Sequence, residues 1–270
     1  MTSTESTPAV DTDDPRFTLT VEDRVATVRL TREDRANAVT ISATEELAER
    51  LDALADDDDV RALVITGTGR YFSSGLDLHD AARPEVSARI ATMLSSGRHR
   101  SLHEAILQWP KPTVAAINGT AVGGGLEMAL ACDLRIAVAG TQLALPEAKR
   151  GMGAVFAAVV LPRIVPRALA YEMLYLGEPT TAETALQWGL VNRVVAADEF
   201  DAAVADLVGR LVANAPLTQR KIKALNTEAQ NLPVSTAVRL GVGPDPYASA
   251  DRLEGIRAWR ERRETRWTAR

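Results

Sequence analysis

Thr113-Val-Ala-Ala-Ile-Asn118-Gly-Thr-Ala-Val-Gly-Gly-Gly-Leu-Glu127 decides how the chain is read. Residues 113–117 are nearly continuously apolar, the pattern of a short strand buried on both faces, and a helix is expected from about Leu126 to Cys132. Three consecutive glycines between them are costly in chain entropy, so something must come close to that backbone. Neither nucleotide loop fits: the spacing is not G-x-G-x-x-G, and no Gly-Lys-Ser/Thr follows. The segment reads as a turn whose free N–H groups stand at a helix N-terminus, suited to an anion or a developing oxyanion. Tight packing is the alternative reading of the glycines.

Outward from this segment the strand signature repeats at Val60 to Thr66 and Leu134 to Val138, and more weakly at Leu143 to Leu145, with residues 80–108 patterned as helix. Strands alternating with helices predict an α/β protein with largely parallel sheets. Phe17 to Val21 and Val25 to Leu30 read as a hairpin around Glu22-Asp-Arg24. From Thr40 the period turns helical, with Ser42 and Glu45 as a capping box and a stop near Asp56. Asp56 to Asp59 reads as a solvated loop. Beyond Pro146 the chain becomes mostly helical: Pro166 starts a helix, Gly177 ends it, Thr180 and Glu183 form a second capping box, and Gly189 is the next stop. Asn192 to Val195 adds a last strand. Residues 198–229 and 249–263 read as amphipathic helices separated by the breaker-rich stretch 241–246. The expected organisation is a disordered tail at 1–15, a core at 16–197 and a helical region at 198–270.

Composition narrows the function classes. The 270 residues are 46% hydrophobic and 25% charged, with 31 basic and 36 acidic side chains and a net charge of −5. That is the profile of an ordinary globular protein, and its mild acidity argues against nucleic acid as the main partner. Cys132, the single cysteine, excludes an intrachain disulfide framework and a Cys-based zinc cluster. The first 15 residues lack both a basic start and an apolar run, so no signal peptide is expected. No window approaches the 18 or more apolar residues that span a bilayer. A cytoplasmic location without membrane attachment is the expectation.

A second glycine-bearing turn, Tyr71-Phe-Ser-Ser-Gly-Leu-Asp-Leu78, follows the strand at 60–66. It is not the G-x-S-x-G elbow, and His79, His99 and His103 fall where exposed polar residues would serve, so serine hydrolysis is not expected. His99 and His103, four apart, lack a third ligand, and no metal site is expected.

Taken together, the two turns resemble the crotonase superfamily, the enoyl-CoA hydratase and isomerase family. The matching pieces are Arg35-Ala-Asn-Ala38, Phe72-Ser-Ser-Gly-Leu-Asp-Leu78, the 118–127 segment with Cys132-Asp133, Pro146-Glu147, the Ala-x-x-x-Gly-Leu-Val-Asn pattern within 182–195, and Asn214-Ala-Pro216. The likeness spans about residues 17–265, and its order and gaps carry more weight than any single piece. It implies a spiral of repeated β-β-α turns with a C-terminal helical region used in trimer formation, as homotrimer or hexamer. It implies a place in lipid and fatty-acid metabolism and an enoyl-CoA hydratase. The rivals are a 3,2-enoyl-CoA isomerase using one glutamate and a non-catalytic acyl-CoA-binding homologue.

Hydration of an α,β-unsaturated thioester places negative charge on the thioester oxygen, which calls for fixed donors. By resemblance these are the backbone N–H groups of Leu76 and Gly124. Two acid/base groups are also needed. Glu127 matches the family residue that orients or deprotonates water, and Glu147 the one that protonates the α-carbon. Without the resemblance, Glu127 reads as a favourable charge in a first helical turn and Glu147 as an exposed residue after proline. The resemblance places CoA, part of the substrate rather than a cofactor, against Arg35, Ala36, Ala38, Ser74, Gly75, Asp77, Leu78, Gly123 and Pro146. Arg35 either meets a phosphate or is a solvated arginine. Lys149-Arg-Gly-Met-Gly-Ala-Val-Phe-Ala157 departs from the family, whose hydratases commonly have Leu-Gly-x-x-Pro-Gly-x-Gly-Gly there. That loop borders the acyl pocket.

Overall fold

In the computed structural model, which describes residues 16–96 and 100–270, the chain opens with the expected hairpin of β1 (Phe17–Glu22) and β2 (Val25–Leu30). Asp23 and Arg24 both have positive φ, 46° and 67°, the two-residue turn whose twist suits paired antiparallel strands. The tail expected at 1–15 and His99 lie outside the described residues. β3 (Ala62–Gly67), β5 (Thr113–Ile117), β7 (Leu134–Val138) and β10 (Arg193–Val195) follow β2 in parallel, giving the order β1-β2-β3-β5-β7-β10. β3, β5 and β7 each pass through a corner into a second, smaller sheet. Its strands β4 (Tyr71–Ser73), β6 (Thr120–Val122) and β8 (Gln142–Ala144) are parallel, and β9 (Thr180–Thr181) is antiparallel at the edge. Strand, strand and helix thus repeat as a spiral.

The larger sheet is covered on both faces. Val28, Leu30, Leu63, Ile65 and Ile117 pack into the main core, while Ala62, Val64, Val114, Ala116 and Ile136 meet Phe200, Leu207 and Val208 of the helix Phe200–Val212. This is why its strands read as unbroken apolar runs.

Several boundaries differ from the sequence expectation. Thr40, not Ser42, caps the helix Ile41–Ala55, because Arg16 draws the Thr40 and Ser42 hydroxyls together and Glu45 turns to Arg89. The stretch at 80–108 is divided into Leu78–Ala81, Pro84–Ser96 and Leu102–Gln108, the last started by a reciprocal Ser101–Glu104 capping box. Thr181 rather than Thr180 caps Ala182–Gln187, and Glu183 accepts instead from the Gly140 amide at 2.7 Å. Helices Pro216–Ala229 and Ala250–Glu261 follow, and the final residues fold back, with Asp251 accepting from Thr268 and Ala269. Tyr247 and Trp259 stand exposed there. No helix among the described residues is long and apolar enough to cross a membrane.

Candidate active site

The corner after β4 is zipped to the 32–40 loop by main-chain bonds. Ser74 N donates to Ala36 O at 2.9 Å, Val39 N to Gly75 O at 2.8 Å and Asp77 N to Val39 O at 2.8 Å. This makes a parallel bridge between Val39 and Leu76 in which the residues flanking Leu76 bond to Val39, so the Leu76 N–H is not used. Asn37, almost fully buried with φ 54°, braces the corner: its Nδ2 donates to Thr68 O and Tyr71 O, and Ser73 Oγ donates to its carbonyl. Ser73 Oγ also accepts from Gly75 N, so that hydroxyl is committed to the turn.

The start of the helix Gly124–Ala131 lies directly against this corner. Gly75 has φ +83°, and a Cβ there would come 2.7 Å from Gly124 N, a contact no side chain tolerates. A Cβ built on Gly124 would stand 3.7 Å from Leu76 N. The two residues named as oxyanion donors therefore border one small space. Among the described residues neither amide has a protein acceptor, Gly124 N being at a first helical position where no intrahelical acceptor exists. At its far end the same helix is held by Arg135, whose buried guanidinium donates to Ala129 O, Cys132 O and Leu190 O.

Glu127 sits in the first turn of this helix and is 8% exposed. Its Oε1 accepts from Ala157 N at 2.8 Å. Ala157 lies in the first turn of Val155–Ile164, whose N-cap residue Ala154 offers no side-chain bond, so Glu127 supplies the cap from 30 residues away. The loop that departs from the family pattern thus leads into the amide that holds Glu127. Glu147, 9% exposed, is carried by the short 3-10 helix Pro146–Arg150. Its Oε1 would be 2.9 Å from a Cβ on Gly123, and its buried Oε2 has no hydrogen-bond partner among the described residues. Burial lifts the Glu147 pKa above its ordinary value; its own backbone amide opposes the rise, and the charge of Glu127 adds to it. The two carboxylates are thus close enough to feel each other, beside the glycine turn.

Other candidates are placed differently. The buried Asp77 carboxylate caps Leu78–Ala81 by accepting from His79 N and Asp80 N and pairs with Arg32 at 3.0 Å, so its side chain is engaged within the protein while its main chain belongs to the 74–78 corner. Arg35 is solvated, 3.7 Å from Asp34. Leu78 is exposed, Ala38 is buried, and Ala36 and Ser74 contribute through the main chain. His79 is exposed as expected, but His103 is half-buried: its Nε2 lies 3.1 Å from Gly124 O and its ring stacks on Phe156. The helical pattern around His103 gave no sign of either contact. Among the described residues no group of three or more His, Cys, Asp or Glu side chains is arranged to hold a metal.

Comparison with known proteins bears on this geometry. The enoyl-CoA hydratase/isomerase family model matches residues 20–270. The chain belongs to that family. It is similar to a carnitinyl-CoA dehydratase of Salmonella enteritidis PT4, 36% identical over 244 residues that cover 87% of this chain and 92% of the relative. Among solved structures, an enoyl-CoA hydratase from Bacillus anthracis superposes with a TM-score of 0.85 at 27% identity, over 94% of this chain and 100% of that one. DspI of Pseudomonas aeruginosa gives 0.82 at 32% identity over 97% and 100%. As a member of the enoyl-CoA hydratase/isomerase family, the chain has the crotonase fold, and the spiral implied by the sequence resemblance is the observed one.

Proposed function

We propose that this protein is an enoyl-CoA hydratase that adds water to 2-enoyl-CoA thioesters to give 3-hydroxyacyl-CoA. The observation that carries the reading is the placement of two buried, electrostatically coupled carboxylates, Glu127 and Glu147, beside two adjacent main-chain amides with no protein acceptor. In this reading the thioester oxygen accepts from Leu76 N–H and Gly124 N–H, which stabilise the enolate; loss of one such donor costs about 3 kcal/mol in related oxyanion systems. Glu127, whose Oε1 accepts from the Ala157 amide, takes a proton from water as the new C–O bond forms at the β-carbon. Glu147, with its raised pKa, delivers its proton to the α-carbon as the carbonyl re-forms. The pair holds one proton before and after, and the cycle closes when the proton gained by Glu127 passes to Glu147. CoA lies along the main chain of 35–38 and 74–78.

The relative named carnitinyl-CoA dehydratase works in the elimination direction of the same kind of equilibrium, which supports this choice over isomerisation by Glu147 alone. The reaction is not a redox step, and its electrophilic role is filled by N–H donors, so neither metal nor nicotinamide is required. A homotrimer or hexamer is the assembly we propose, to be read by sedimentation. The test of function is loss of conjugated-thioester absorbance with crotonyl-CoA and longer enoyl-CoA esters. Turnover that survives chelators is expected. A flat trace across the series, with acyl-CoA still bound, would instead assign a binding protein.

A further inference from the structure

Gly123, Gly124 and Gly125 have little stiffness of their own, so the direction of the Gly124 amide must be fixed from outside the turn. Main-chain bonds supply part of this: Gly123 N donates to Ala144 O and Glu127 N to Gly123 O, both at 2.9 Å. Among the described residues, His103 is the one side chain that hydrogen-bonds the turn, its Nε2 lying 3.1 Å from Gly124 O. A donor is needed there because the carbonyl only accepts, so the ring carries its proton on Nε2. The same Nε2 and Leu76 N lie within 4.0 Å of one point, the position a Cβ on Gly124 would take.

The ring also has a second partner. It stacks on Phe156 with centroids 5.2 Å apart. Phe156 belongs to the helix whose Ala157 amide holds Glu127, and Glu127 rises from the helix that begins at Gly124. Gly124, His103, Phe156, Ala157 and Glu127 therefore form a closed circuit of contacts. We propose that His103 is a positioning residue that fixes the Gly124 donor relative to the Glu127 carboxylate; this rests on the hydratase reading above. It acts through the Gly124 carbonyl and the Phe156 ring, not on the reacting atoms.

Two variants separate its contacts. His103→Phe keeps a ring for Phe156 and removes the hydrogen bond; His103→Gln keeps an N–H donor and removes the ring. Each is measured for melting temperature, for kcat and KM on crotonyl-CoA, and for the red shift of cinnamoyl-CoA on binding, which reports polarisation of the thioester carbonyl. His103→Phe is expected to fold, to lose about 10- to 100-fold in kcat with KM within about threefold, and to lose most of the red shift. His103→Gln is expected to restore kcat to within about tenfold of wild type and most of the shift. A folded His103→Phe with wild-type kcat and red shift overturns the proposal. So does a folded His103→Gln as impaired as a variant lacking the donor. If the wild type itself neither hydrates crotonyl-CoA nor shifts the chromophore, the hydratase reading falls and takes this inference with it.

Discussion

Glu127 and Glu147 are buried to almost the same degree, 8% and 9% exposed, yet their hydrogen-bond surroundings differ. Glu127 receives the main-chain N–H of Ala157 from the first turn of a second helix. Glu147 has one oxygen with no donor among the described residues, and burial raises its pKa. Burial alone does not make an acid or a base. What distinguishes the two is that Glu127 receives an N–H from a distant helix, while Glu147 is met only by its own backbone amide and keeps one buried oxygen without a partner among the described residues.

The largest expected effect tests that division of labour. Glu127→Gln and Glu147→Gln should each lower hydration about 10²- to 10⁴-fold, while conversion of a 3-enoyl-CoA to its 2-enoyl isomer should fail only in Glu147→Gln. Hydration by Glu127→Gln at near the wild-type rate would show that the carboxylates do not share the reaction. Next comes Gly123→Ala, which forces a Cβ to 2.9 Å from Glu147 Oε1 at a φ of +57°. It should lower kcat by about 100-fold and stability by about 1–3 kcal/mol, read by assay and denaturant melt. Gly124→Ala, whose Cβ meets nothing closer than 3.6 Å, should melt near wild type and lose activity instead.

The smallest effect is on the pH dependence of stability. The folded-state pKa of Glu147 lies above the 4.5 of an unperturbed glutamate, so its contribution is fully present below that value and is lost as pH rises through the folded pKa. The melting temperature of wild type relative to Glu147→Gln should therefore fall as pH rises from about 4.5 upward. In a Glu127→Gln background the same fall should be smaller and should level off at lower pH, because the Glu127 charge is one cause of the rise. An unchanged midpoint would mean that the two carboxylates do not interact.

The larger sheet was legible because its strands are covered on both faces, so Val60 to Thr66 and 113–117 had to be apolar throughout. Of the smaller sheet only β8 was read from pattern, and weakly, at Leu143 to Leu145. β4, β6 and β9 have two or three residues each, too few to show a period, and only the family resemblance implied strand pairs at those corners. At the site, the glycines announced a close approach, which the Gly75 to Gly124 contact explains. His103 was misread because Gly124 and Phe156 reach it from distant segments, and the Arg32 partner of the Asp77 carboxylate, 45 residues away, was equally invisible in the local pattern. Local sequence carries a side chain's chemistry but not its nonlocal partner.

The zipper between Val39 and Leu76 has an engineering consequence. It orients an amide that any residue except proline possesses, so the donor we propose for the oxyanion is independent of the identity of the side chain at 76. That side chain is only half-buried, so under the hydratase reading it can be trimmed or enlarged while the main-chain donor proposed for the thioester oxygen stays in place.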